Sequence, residues 1–148
     1  MNMDANMQLL PRSKQFALRV MKLVDALPKS RSTDVIGKQL LRSATSVGAN
    51  YRAACRGRSK AEFIAKLGIV EEECDETLYW FELLIEGGLV NPGKLSALVQ
   101  EGTEILAMIV SSIRTARRIQ NTERAMKAAA NNKSLANSPT KPTRTGAI

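Results

Sequence analysis

Two sets of residues in this chain have the types and spacing to do chemistry. The first is acidic: Glu72, Glu73 and Glu76, followed one element later by Glu101 and Glu104. Acids three or four residues apart share a helix face, and two such faces brought together can hold Mg²⁺, which prefers oxygen ligands. The second set is basic. At about 100° per residue, Lys38, Arg42, Arg52 and Arg56 fall on one side of a helix, and Arg58 and Lys60 extend the stripe through the following turn. Thr45 and Ala49 fill the middle of that side and are small enough to admit a phosphate backbone. No acid interrupts the stripe, whereas a helix stabilised for itself would mix signs. Contact with phosphate oxygens is the chemistry that fits, and it positions a nucleic acid without reading its bases. Arg114, Arg117 and Arg118, with Arg124 and Lys127 beyond them, form a second basic cluster. Cations near a helix C-terminus also favour its macrodipole.

Composition removes most other chemistries. With no histidine in the chain, a Glu-x-x-His di-iron site is impossible. Cys55 and Cys74 are too few for a structural zinc site and both read as buried small apolar residues in a reducing compartment. No Gly-rich phosphate loop, Ser–His pair or Cys–His pair is present. Aromatic residues make up only 4%, so platforms for stacking single-stranded bases are scarce and backbone-dominated binding is expected. The longest strictly apolar run, Ile105–Val110, is too short to span a bilayer, and the expectation is a cytoplasmic protein without membrane contact.

The elements that must position these residues are helices. Ser13 is placed to cap a first helix carrying Phe16, Val20, Leu23, Val24 and Leu27, ended by Pro28. Ser32 or Thr33 caps a second, with Ile36, Leu40, Val47, Tyr51 and Ala54 inward and an end near Gly57. Asn50 and Ser43 fall near its core side, where buried polar groups are expected to tie helices together. Ser59-Lys60-Ala61-Glu62 is a capping box opening a third helix. Its core stripe reads Phe63, Leu67, Val70, Cys74, Leu78, Phe81 and Ile85, and Gly87-Gly88 stops it. Asn91-Pro92 opens a fourth helix carrying Leu95, Val99, Leu106, Ile109 and Ile113. Past Ala116 its inward positions become Arg117, Gln120 and Arg124, so it leaves the core there. Short connections between such helices predict an all-α, antiparallel up-down-up-down four-helix bundle. The expected divisions are a flexible N-terminus at 1–12, the bundle at 13–130, and a disordered basic tail at 131–148.

Charge is sorted along this frame. Residues 1–60 carry 12 Lys/Arg against three Asp/Glu, residues 61–90 one against eight, and residues 91–148 nine against three. The acidic third helix also bears a second apolar band, Ala65, Ile69, Trp80 and Leu83. A bundle helix needs one apolar face, so Ile69, Trp80 and Leu83, flanked by Glu73 and Glu76, predict an oligomer interface. The acids there would pair with basic residues on the second helix of the next subunit, a heterologous, ring-closing contact.

The run from Gln39 to Tyr51 (QLLRSATSVGANY), then Ser59-Lys60-Ala61-Glu62-Phe63, Glu71-Glu72-Glu73, and Leu89 beyond a Gly pair resembles the four-helix-bundle proteins encoded in intervening sequences of bacterial 23S rRNA genes. That family is related to the accessory protein of diversity-generating retroelements. The resemblance covers about residues 16–113 and implies a left-handed bundle, a homopentameric ring, and a basic surface engaging nucleic acid and a reverse transcriptase. The chain departs from the family pattern at Ala54-Cys55-Arg56-Gly57, where an acidic residue is usual.

The reading is therefore a non-catalytic homo-oligomer that binds structured RNA or DNA, alone or with a nucleic-acid enzyme, and needs no metal or cofactor. The binding residues would be Lys38, Arg42, Arg52, Arg56, Arg58, Lys60, Arg114, Arg117 and Arg118. One alternative is a protein–protein scaffold meeting an acidic partner. A remote one follows from the first set of acids, which loosely resembles the metal-binding pattern of all-α nucleotide pyrophosphohydrolases, with Glu104 where the pattern has Asp.

Overall fold

The computed structural model describes residues 3–136, with side chains from residue 8 onward. Four helices make up the bundle: α1 (Met3–Asp25), α2 (Arg31–Cys55), α3 (Lys60–Glu86) and α4 (Pro92–Ala136). Each packs beside its chain neighbour, and α1 against α4 closes the ring. Pairs such as Ser13 with Gly48, and Cys74 with Gly102, show neighbours running antiparallel. Across the centre the Phe16 and Phe81 rings meet edge to face, centroids 6.3 Å apart.

The buried positions follow a seven-residue repeat, the period of a left-handed supercoil. On α2 they are Thr33, Gly37, Leu40, Ala44, Val47, Tyr51 and Ala54, joined by Ser43. On α3 they are Phe63, Leu67, Val70, Cys74, Thr77, Phe81 and Leu84. The expected Leu78 and Ile85 are half-buried at the edge of the core, one position out of phase. Thr77 holds the buried position because its hydroxyl lies 2.9 Å from Ser43 Oγ and 2.8 Å from the Glu73 carbonyl, so burial leaves no polar group unmatched. Ser43 thus ties α2 to α3 as expected. Asn50 instead donates to the Ser46 carbonyl within its own helix. On α4 the line is Leu95, Leu98, Gly102, Ile105, Ile109, Ile113 and Ala116, with the expected Val99 and Leu106 at its edge. At Gly102 a Cβ would stand 2.9 Å from the end of the Leu78 side chain and 3.2 Å from the Phe16 ring, so any larger residue would have to push both aside.

Helix ends differ from expectation at the start of α1, the cap of α2 and the end of α4. α1 begins at Met3 rather than Ser13, despite Pro11 inside it. Leu9, Phe16 and Val20 form one buried line, and Ser13 is buried among them with its hydroxyl donating to the Leu10 carbonyl. Packing of Leu9 outweighs the hydrogen bond that a proline removes. α2 is capped by Ser30, whose hydroxyl accepts from Thr33 N–H in a capping box. The other ends agree. Ser59 caps α3, Gly88 turns the chain after it at φ 67°, and the Asn91 side chain accepts from Gly93 N–H at the start of α4. α4 continues as helix through residues 131–136, which were expected to be disordered; residues 137–148 lie outside the described residues. Among the described residues no helix is long and apolar enough to cross a membrane.

Candidate nucleic-acid interface

The antiparallel order puts the start of α1, the end of α2, the start of α3 and the far part of α4 at one end of the bundle. The salt bridge of Lys60 to Glu123 ties two of these together. Sequence reading described a stripe on α2 and a separate cluster on α4. Topology brings Arg52, Arg56 and Arg58 to the same end as Arg114, Arg117 and Arg118. All six are exposed, and among the described residues none is in a side-chain ion pair. Arg52 and Arg56 stand there on α2, Arg58 just past it, and the other three on α4, across the ring from α2.

The rest of the stripe falls away from it. Lys38 lies toward the opposite end, where it borders a hollow shared with Asp25 and Asp34. Arg42 is taken up within the chain, 3.1 Å from Glu73 and bonded to Glu76. Lys60 is engaged by Glu123. A phosphate would have to displace a carboxylate to reach Arg42 or Lys60, so neither is a free contact.

The same ion pairs bear on the face of α3 where an interface is expected. Within the chain, Glu73 and Glu76 both pair with Arg42 on the second helix. Trp80 is half-buried against the core and donates its indole N–H to Glu76 at 3.0 Å. Leu83 is half-buried, while Ile69 remains 38% exposed. Tyr79, 51% exposed, stands beside Glu72, Asp75 and Glu82 on the outer face.

Two features were not anticipated. Arg12 binds Glu101 through both carboxylate oxygens, at 2.9 and 2.8 Å, and Glu104 at 2.7 Å, clamping α1 to α4. The signal available was Leu9, seven residues before Phe16, which extends the first helix through Arg12. The other is a groove of about 700 Å³ between α1 and α2. Leu10, Ala17, Gly48 and Ala49 line it, with Lys14, Arg52 and Arg56 as its cations.

The acids do not converge. Glu101 and Glu104 face Arg12, Glu73 and Glu76 face Arg42, and Glu72 points to solvent. Among the described residues no group of three or more Asp, Glu, Cys or His is placed to hold a metal. The arrangement does not fit the pyrophosphohydrolase pattern.

Ion pairing lowers the pKa of Glu76, chiefly through the Arg42 hydrogen bond, and that of Glu104, chiefly through Arg12. Stability from these pairs is present above the ordinary carboxylate value of 4.5 and is lost as pH falls through the depressed folded values. The melting temperature is expected to hold between pH 7 and 5 and to drop below pH 4.5, with a smaller drop in Arg12→Gln. An equal drop in that variant would remove the clamp from the account. The cysteines are predicted to separate as well. Burial pushes Cys74 up to about 12, and its thiol donates to the Gly102 carbonyl, whereas Cys55 is exposed. One thiol should react with Ellman's reagent in the folded protein and the second only on unfolding; fast reaction of both would contradict the packing.

The fold is a basic, histidine-free four-helix bundle with exposed cations at one end. Residues 5–111 match the family model described as 23S rRNA-intervening sequence protein, and the chain belongs to that family. It is also similar to the crystal structure of a protein of unknown function from the S23 ribosomal protein family of Bacteroides thetaiotaomicron. The two share 36% identity with a TM-score of 0.70, covering 74% of this chain and 98% of that one. No curated protein matches the chain.

Proposed function

We propose that this protein is a non-catalytic, cytoplasmic nucleic-acid-binding bundle that holds structured RNA or DNA by its phosphates at the basic end. What carries the reading is the convergence there of Arg52, Arg56 and Arg58 with Arg114, Arg117 and Arg118, exposed and without an acidic partner among the described residues. Membership of a family named for intervening sequences in 23S rRNA supports RNA as the first ligand to try. The resemblance to retroelement accessory proteins adds a nucleic-acid enzyme as a partner. The protein acts as a homo-oligomer, a pentamer on that resemblance. After the ion pairing of Glu73 and Glu76, the face left for self-association is Ile69 and Tyr79 with Glu72, Asp75 and Glu82.

The α1/α2 groove favours a second reading, an acidic amphipathic helix of a partner protein seated between Lys14 and Arg56. Fluorescence anisotropy at 50 mM salt separates the two. Labelled structured RNA or duplex DNA should bind and be displaced by unlabelled nucleic acid. No binding at that salt sinks the nucleic-acid reading and leaves the scaffold.

A further inference from the structure

α4 does not stop where the bundle does. Its last buried residue is Ala116, yet it runs as helix to Ala136, and every residue from Asn121 is exposed. At 1.5 Å per residue this arm reaches about 30 Å beyond the core. It lies past residue 111, where the family match ends, so the family's shared fold does not account for it. Its helical phase sets what it presents. The line that faces the core at Ile109, Ile113 and Ala116 continues through Gln120, Glu123 and Lys127, with Arg124 beside it. That line therefore looks over the end of the bundle, where Arg56 and Arg58 stand. The Glu123–Lys60 pair braces the arm at its root.

We propose that the corner between the bundle end and the inner side of this arm is a seat for a nucleic-acid duplex. Arg56 and Arg58 form the floor and Arg124 and Lys127 the wall. The proposal rests on the nucleic-acid reading above and adds where the ligand lies and that it is double-stranded. Charge complementarity commits the occupant. The wall offers cations and amides, and the large apolar residues of the arm, Met126 and Leu135, stand singly and form no patch to anchor a protein. Residues 117–136 contain no aromatic ring on which single-stranded bases would stack. Two rows of regularly spaced phosphates are what such a corner can hold. Phosphate contact alone does not separate an RNA duplex from a DNA duplex.

The test measures salt-dependent binding of an RNA duplex, a DNA duplex of the same sequence, and one strand alone. It compares the wild type with R124Q/K127Q and with K94Q/K133Q, which loses the same charge away from the corner. Both variants change exposed residues, and circular dichroism checks that each remains folded. R124Q/K127Q should bind duplex about tenfold more weakly near 100 mM salt, with a log–log slope shallower by about two. K94Q/K133Q should stay near wild type, and the single strand should bind more weakly than either duplex. Whichever duplex binds more tightly identifies the source of the phosphates. Equal losses in the two variants would reduce the effect to net charge and overturn the corner, as would equal binding of single strand and duplex. Wild-type slope in R124Q/K127Q, with binding lost in R52Q/R56Q/R58Q, would overturn the corner and leave the proposed function standing. No wild-type binding to any probe would remove both.

Discussion

Phe16→Ala is expected to cost about 3–5 kcal/mol of folding stability. The ring is fully buried, meets Phe81 edge to face at 6.3 Å, and lies against Gly102, where α4 comes closest. Its loss removes contacts with both α3 and α4 and opens a cavity that α4 is not free to fill, because Ile105 and Ile109 already hold their own sites in the core. Against a typical stability of about 5–15 kcal/mol, that is a large fraction of the total. Urea unfolding should show a lower midpoint with an unchanged slope. Leu18→Ala, on the same helix but 40% exposed, should stay within about 0.5 kcal/mol. Equal effects at the two positions would mean that α1 is rotated from the orientation described.

The second large effect concerns binding. R52Q/R56Q/R58Q is expected to lower affinity for structured RNA or duplex DNA about 10²-fold near 100 mM salt, through loss of about three phosphate contacts. K38Q/R42Q changes two cations of the same helix and should cost far less. Lys38 lies toward the far end of the bundle, and Arg42 already neutralises Glu73 and Glu76. Without Arg42 those two acids lose their partner, so a modest fall in melting temperature should accompany that variant. The contrast distinguishes a basic end from a basic stripe.

How far the sequence could be read depended on the range of the interactions involved. Helix existence and most ends rest on local chemistry: Ser59 before Glu62, Asn91 before Pro92, Gly87-Gly88 after the last apolar turn. These were legible. The start of α1 was not, because Pro11 reads locally as a boundary while Leu9 is held by packing. Thr77 and Gly102 were missed for a related reason. Leu78, one position from Thr77, and Val99 and Leu106, one position from Leu98 and Ile105, drew the stripes off phase, although the seven-residue repeat lands on a hydrogen-bonded threonine and on a glycine. At the candidate site the cations were visible and their partners were not. Arg42 and Glu73, or Arg12 and Glu101, are far apart in the chain and meet only once the helices are packed. The ion pairs removed Arg42 and Lys60 from the free contacts, and the chain order of the helices put the other two patches at the same end of the bundle.

The most direct test of that basic end is the salt dependence of duplex binding between 50 and 200 mM for wild type, R52Q/R56Q/R58Q and K38Q/R42Q. Wild-type affinity should fall on the order of 10²–10³-fold over this range, as for about five neutralised phosphates. The slope should be shallower by about three in R52Q/R56Q/R58Q and nearly unchanged in K38Q/R42Q. A larger change in K38Q/R42Q would place the ligand along α2 and contradict the end-on account.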